Sequence, residues 1–235
     1  MKLSTISDLL VEKKSYSKIQ NLISVKSHQS INYALELLDK NNILCVPVID
    51  NSSKFIGFID VLDICSFALQ MHSRGEKTEQ LLKCEVLKIL NYSKIDSSFV
   101  VRESFSLQSV FDFFTKPSYS YPIVPSGHED EGPKTVNRFP HRVAVLNCNE
   151  ELIDIISQWD LAFFLEKRRA SLSENILNSK IGSIKELIHP IVKIRIDEMF
   201  SEALEKMCSN RLRGIAVVDE NGIINFNIFS LNVNV

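Results

Sequence analysis

The 235-residue chain carries 27 Lys and Arg against 29 Asp and Glu, a net charge of −2. That is too small to draw nucleic acid, a membrane surface or an acidic partner by bulk attraction. Hydrophobic residues at 45% supply a core for one large or two small domains, and 24% charged residues is ordinary for a globular protein.

Cys45, Cys65, Cys84, Cys148 and Cys208 show no CxxC and no Cys/His metal spacing. They read as small buried hydrophobes in a reducing compartment. The start, MKLSTISDLLVEKK, lacks the apolar run of a secretory signal. No stretch approaches the roughly 18 apolar residues of a membrane span. The expected location is the cytoplasm, with the nucleus as a second site.

In chain order, a short strand is expected at Leu22 to Val25. A helix follows from Ile31 to Asn41, capped by Ser30, with Ile31, Ala34, Leu35 and Leu38 on one face. Strands Cys45 to Ile49 and Phe55 to Ile59 flank the polar turn Asn51-Ser52-Ser53-Lys54. A helix from Leu62 to Met71 then carries a carboxylate at its start. The strand VPVID, Val46 to Asp50, recurs as VAVLN, Val143 to Asn147, and as IAVVD, Ile215 to Asp219. Internal repetition of this kind sets the architecture.

The spacings are 97 and 72 residues, and the excess lies in the 24 residues Pro117 to Pro140, rich in proline, serine and charge. This stretch reads as an insertion whose His128 to Gly132 core is a solvated loop. The second repeat has a strand at Phe99 to Val101 and a helix from Leu107 to Thr115. After the insertion come strands Arg142 to Leu146 and Leu152 to Ile156, then a helix from Gln158 to Glu166. The third has a strand at Ile191 to Ile194, a helix from Phe200 to Ser209, and strands Gly214 to Val218 and Ile223 to Phe229. Its second helix is missing. Thr78 to Leu90 and Leu172 to Asn178 read as helical linkers, and Thr5 to Leu10 is echoed by Ile184 to Ile188.

The order strand–helix–strand–strand–helix, with VPVID, a turn, FIGFI and an Asp soon after, resembles the CBS domain. The resemblance implies an α/β (α+β) fold of tandem CBS repeats paired into a Bateman module. The expected boundaries are 3–75, 76–170 and 171–235. His141-Arg142-Val143-Ala144-Val145 and Asp219 to Ile228 further resemble gamma regulatory subunits of AMP-activated and sucrose-non-fermenting type protein kinases. That resemblance implies an adenine nucleotide (AMP, ADP or ATP) as regulatory ligand. It also implies protein kinase catalytic and scaffold subunits as partners.

In such a repeat an ionised carboxylate at the start of the last helix accepts both ribose hydroxyls. A Ser or Thr three residues earlier adds a contact, and basic groups take the phosphates. By this resemblance Asp160 and Ser157 hold the ribose in repeat two, while His141 and Arg142 take phosphate. Ser157 and Asp160 equally suit a helix cap. Asp63 holds the ribose position in repeat one, but Asp60 replaces the hydroxyl and would repel phosphate. In repeat three Phe229 and Asn232 replace the hydroxyl and the carboxylate, leaving Arg211 and Arg213 to lend positive charge. Lys167-Arg168-Arg169 reads as a helix-dipole complement, and Trp159 as packed on the sheet.

No catalytic motif is present, so a non-catalytic regulatory module is expected. The alternative is a degenerate CBS scaffold that binds protein and no nucleotide. A weaker one is an enzyme holding a metal through His128, Glu129, Asp130 and Glu131. The unpaired sheet of repeat three is expected to make the chain a homodimer or hetero-oligomer.

Overall fold

The structure, a computed structural model, describes residues 5–16, 21–94, 98–115, 119–123, 134–138, 140–171, 174–183 and 191–229. A threefold recurrence organises it. In the first unit, strand β1 (Val25–Lys26) pairs parallel with β2 (Cys45–Ile49), and β2 pairs antiparallel with β3 (Phe55–Asp60). Helix α2 (Ile31–Asn41) connects the parallel strands, and α3 (Val61–Ser73) follows β3. Helix α1 (Ile6–Lys13) precedes the unit; α4 (Thr78–Lys83) and a 3-10 turn at Val86–Ile89 follow it.

The second unit repeats the plan with β4 (Val100–Arg102) and α5 (Leu107–Thr115). A hairpin of β5 (Tyr119–Ile123) and β6 (Lys134–Arg138) comes next, and then β7 (Arg142–Leu146), β8 (Leu152–Ser157) and α6 (Gln158–Glu166). The one-turn helix α7 (Glu174–Leu177) leads to the third unit: β9 (Lys193–Arg195), α8 (Phe200–Asn210), β10 (Gly214–Val218) and β11 (Ile224–Phe229). The sheet orders are β1-β2-β3, β4-β7-β8 and β9-β10-β11.

The recurring VPVID-type strand has a local cause. Asp50 Oδ1 accepts the N–H groups of Ser52 and Lys54, at 2.8 and 2.9 Å. Asn147 Oδ1 accepts those of Asn149 and Glu151, both at 2.9 Å. Asp219 Oδ1 accepts those of Asn221 and Ile223, again at 2.9 Å. One side-chain oxygen thus shapes each hairpin turn. Each turn also holds one left-handed residue, Ser53, Glu150 or Gly222. The ladders slip at the same place, between Val48 and Ile49, Val145 and Leu146, and Val217 and Val218.

Two features differ from the sequence reading. The insertion contains the antiparallel hairpin β5–β6, with Tyr119 opposite Arg138 and Ile123 opposite Lys134. Residues 128–132 lie outside the described residues. Secondly, the leading segments of the first two units are exchanged. Ile6, Leu9 and Leu10 of α1 are buried with Val101, Val110 and Ile156 of the second unit. The Ile6 N–H donates to the Phe105 carbonyl at 3.0 Å. Conversely Leu81, Val86 and Ile89 are buried with Ile31, Val46 and Ile59 of the first. There the Ile31 N–H donates to the Cys84 carbonyl at 2.8 Å.

The exchange clasps the two units, and their sheets meet face to face. Cys45 and Phe58 pack on Ala144, with Phe55, Leu152 and Ile155 at the margin. The third unit docks differently, by helix α8 on helix α3. Leu62, fully buried, joins Ala203, Met207, Ile215 and Val217 of the third unit, while Ile64 and Cys65 face the first. Helix α3 is apolar on two sides because it separates two cores.

Candidate functional site

The polar residues singled out in the sequence gather at the starts of α3, α6, β7 and β10. At α6, Ser157 and Asp160 form a reciprocal cap. Ser157 Oγ accepts the Asp160 N–H at 3.2 Å, and Asp160 Oδ2 accepts the Ser157 N–H at 2.8 Å and its hydroxyl at 2.6 Å. The other carboxylate oxygen, Oδ1, accepts the Tyr16 hydroxyl at 3.2 Å. Lys13 Nζ lies 3.9 Å from Oδ2 and makes its closer contact, 2.7 Å, with Asp154. Burial, then the Asp160 charge and hydrogen bond, holds the Tyr16 phenol above its ordinary range.

At α3 the cap is built from two carboxylates. Asp60 Oδ1 accepts the Leu62 N–H at 3.0 Å, and Asp63 Oδ2 accepts the Asp60 N–H at 2.7 Å. Asp63 Oδ1 accepts both the N–H and the hydroxyl of Ser93, at 2.7 and 2.6 Å. Asp63 is only 3% exposed, and burial is the main cause that raises its pKa to about 7. Thus both cap carboxylates are met by the exchanged segments: Asp160 by Tyr16, which follows α1, and Asp63 by Ser93, which follows the Val86–Ile89 turn.

Asp60 makes the junction of all three units. Its Oδ2 lies 3.3 Å from Arg142 Nη1, at the start of β7. The same oxygen lies 2.9 and 3.1 Å from Nη2 and Nε of Arg213, just before β10. Asp60 is 1% exposed. Because Arg142 stands opposite Ser157 in the β7–β8 ladder, the Asp60 junction and the α6 cap are adjacent. The sequence reading treated Asp60 as a group that repels phosphate; the structure adds that it draws in guanidinium groups from two other repeats. His141 lies beside Arg142, and its carbonyl accepts the Gln158 N–H at 3.1 Å.

Sequence reasoning missed Tyr16, Lys13 and Ser93. The only available signal was the matched helical segments ahead of the repeats, because their polar ends land on the caps. Trp159 is not packed on the sheet: it is 62% exposed and stacks on Phe163, 5.2 Å between centroids. The buried face of α6 is Asp160, Leu161 and Phe164, which turns Trp159 outward. Lys167 and Arg168 pair with Glu12 at 3.6 and 2.8 Å, and Lys167 lies over the Tyr16 ring at 5.4 Å. They tie α6 to the exchanged α1 beyond any dipole effect. Among the described residues no three His, Cys, Asp or Glu side chains are grouped to hold a metal ion. No helix among them is long and apolar enough to cross a membrane.

Three strand–helix–strand–strand units, two of them closed by a capped helix and paired through their sheets, define a tandem-repeat α/β module. Residues 14–69 and 181–226 match the CBS domain family. The chain thus carries CBS-domain matches in its first and third units; tandem CBS domains fit a Bateman module, and the first two units pair through their sheets. No curated protein matches it. Among solved structures, protein MJ1225 of Methanocaldococcus jannaschii, described as a candidate archaeal homolog of g-AMPK, aligns with a TM-score of 0.66 at 17% identity. That alignment covers 91% of this chain and 68% of the other. The CBSX2 protein, solved in complex with AMP, aligns at 0.47 and 19% identity over 71% of this chain and 98% of its own. A CBS domain protein from Streptococcus pneumoniae TIGR4 aligns at 0.48 and 13% identity, covering 74% and 95%. At 17% identity the likeness to MJ1225 is one of fold.

Proposed function

We propose that the chain is a non-catalytic regulatory module that binds an adenine nucleotide between its CBS repeats and alters the activity or assembly of a partner protein. The observation that carries this reading is the meeting of Arg142 and Arg213, from two repeats, at the helix start of another, beside the Ser157–Asp160 cap. In this reading Asp160 and Ser157 take the ribose hydroxyls, and Arg142, Arg213 and His141 take the phosphate. Asp63 supplies a second ribose position once Ser93 yields its hydrogen bonds. A ligand bridging repeats favours the packing for which its affinity is higher, and that difference limits the response.

The test is calorimetry with AMP, ADP and ATP on the wild type and on Asp160→Ala. The variant is expected to lose at least about tenfold in affinity, since one charged hydrogen-bonding group contributes roughly 1.5–3 kcal/mol. Unchanged affinity would sink the assignment. Asp160→Asn, which keeps a cap acceptor, separates lost binding from lost helix stability.

A protein kinase is the proposed partner, through its catalytic and scaffold subunits. The partner surface proposed is the third unit, where Ile224, Phe226 and Phe229 of β11 are about half exposed. Such a patch favours a homodimer or hetero-oligomer. Light scattering is expected to give a mass above one chain; a monomer at tens of micromolar would remove the homodimer. A second reading, a scaffold without nucleotide, is favoured by Asp63, whose two oxygens already accept three hydrogen bonds. It predicts no thermal shift with any adenine nucleotide.

A further inference from the structure

The Asp60 junction brings two guanidinium groups to one buried carboxylate. Arg142 and Arg213 reach one buried carboxylate oxygen from two directions, with side chains only 17% and 19% exposed. Guanidinium forks are built to grip oxyanions, and phosphate above all. At the matching position of the second repeat, the cap residue is the neutral Ser157. Asp60 Oδ1 accepts the Leu62 N–H of the cap, and the side chain also caps the Asp63 N–H, while Oδ2 is the oxygen that both arginines reach.

From this we infer that Arg142 and Arg213 form an oxyanion site that the chain fills with its own Asp60 carboxylate, so that a phosphoryl group enters by displacing Asp60 Oδ2 from the two guanidinium groups. Asp60 then acts as a built-in competitor: it holds the three repeats together when no anion is bound and sets the affinity for phosphate. The inference deepens the nucleotide reading and rests on it only for the identity of the natural ligand.

The probe is inorganic phosphate, titrated into the full chain at constant ionic strength and followed by calorimetry and thermal melting. Asp60→Ser keeps a cap acceptor and reproduces the Ser157 pattern; Asp60→Asn keeps the shape. Both variants are expected to bind phosphate at least about tenfold tighter than the wild type, the scale of one charge-assisted hydrogen bond. Adding Arg142→Ala or Arg213→Ala should abolish the gain. Phosphate affinity within twofold of the wild type in both variants, or a gain that survives loss of either arginine, overturns the inference. If both variants fail to fold in phosphate-free buffer, added phosphate must restore a cooperative melt; failure to do so also overturns it. If AMP does not bind the wild type while phosphate binds the variants, the oxyanion site stands and the nucleotide reading falls. If AMP binds and Asp60→Ser leaves both its affinity and that of phosphate unchanged, the nucleotide reading stands and this inference falls.

Discussion

Leu62→Ala is expected to destabilise the protein by about 2–5 kcal/mol, the range for truncating a buried leucine that leaves a cavity. The effect should not be uniform. Leu62 has no exposed surface and packs with Ile194, Ala203, Met207, Ile215 and Val217, all from the third unit. Its neighbours on α3, Ile64 and Cys65, belong to the core of the first. Amide exchange should therefore speed up in α8 and β10 at denaturant concentrations where β2 and β7 remain protected. Ile64→Ala should produce the reverse pattern. Equal deprotection of every unit by both substitutions would show that the third unit is not held through α3.

The second large effect is on the pH dependence of stability. Burial is the leading cause that lifts the Asp63 carboxyl from an ordinary 3.8 to about 7 in the fold, against hydrogen bonds from Ser93 and Asp60 that lower it. The folded chain therefore holds this proton more tightly than the unfolded chain does. The stability it contributes is complete below the unfolded value, where both states are protonated. It declines as the unfolded state ionises and is lost as pH rises through about 7. Over that window the loss is on the order of a few kcal/mol, since one unit is about 1.36 kcal/mol. Urea midpoints should fall from about pH 5 to about pH 8 more steeply for the wild type than for Asp63→Asn, which cannot titrate. Identical slopes in the two proteins would remove Asp63 as the source.

This titration also bears on ligand binding. In the proposed reading Asp63 takes ribose only when ionised and released by Ser93, whereas Asp160 is bonded to Ser157 and Tyr16. The two half-sites, similar by sequence pattern, thus differ in what a ligand must displace.

Much of the architecture was legible because it is local. Asp50, Asn147 and Asp219 each close a hairpin with their own side chain, so the repeat shows in the sequence at the same offset every time. Helices α2 and α5 begin and end where apolar spacing places them. The Ser157–Asp160 pattern was readable for the same reason, as a cap spans three residues. Trp159 was misread because its placement depends on which face of α6 the sheet claims, and Asp160, Leu161 and Phe164 take that face.

Local chemistry along the chain thus settles the repeated unit, its turns and the polar residues at its helix starts. Tertiary packing decides which segments serve which unit. Helices α1 and α4 exchange places because each buries its apolar face only against the other repeat, a choice that no window of sequence contains. It also decides the meaning of Asp60. Read along the chain, it is a carboxylate where a hydroxyl was expected. In the fold it is the buried charge on which Arg142 and Arg213 converge from 82 and 153 residues away, where its negative charge offsets the repulsion between the two guanidinium groups.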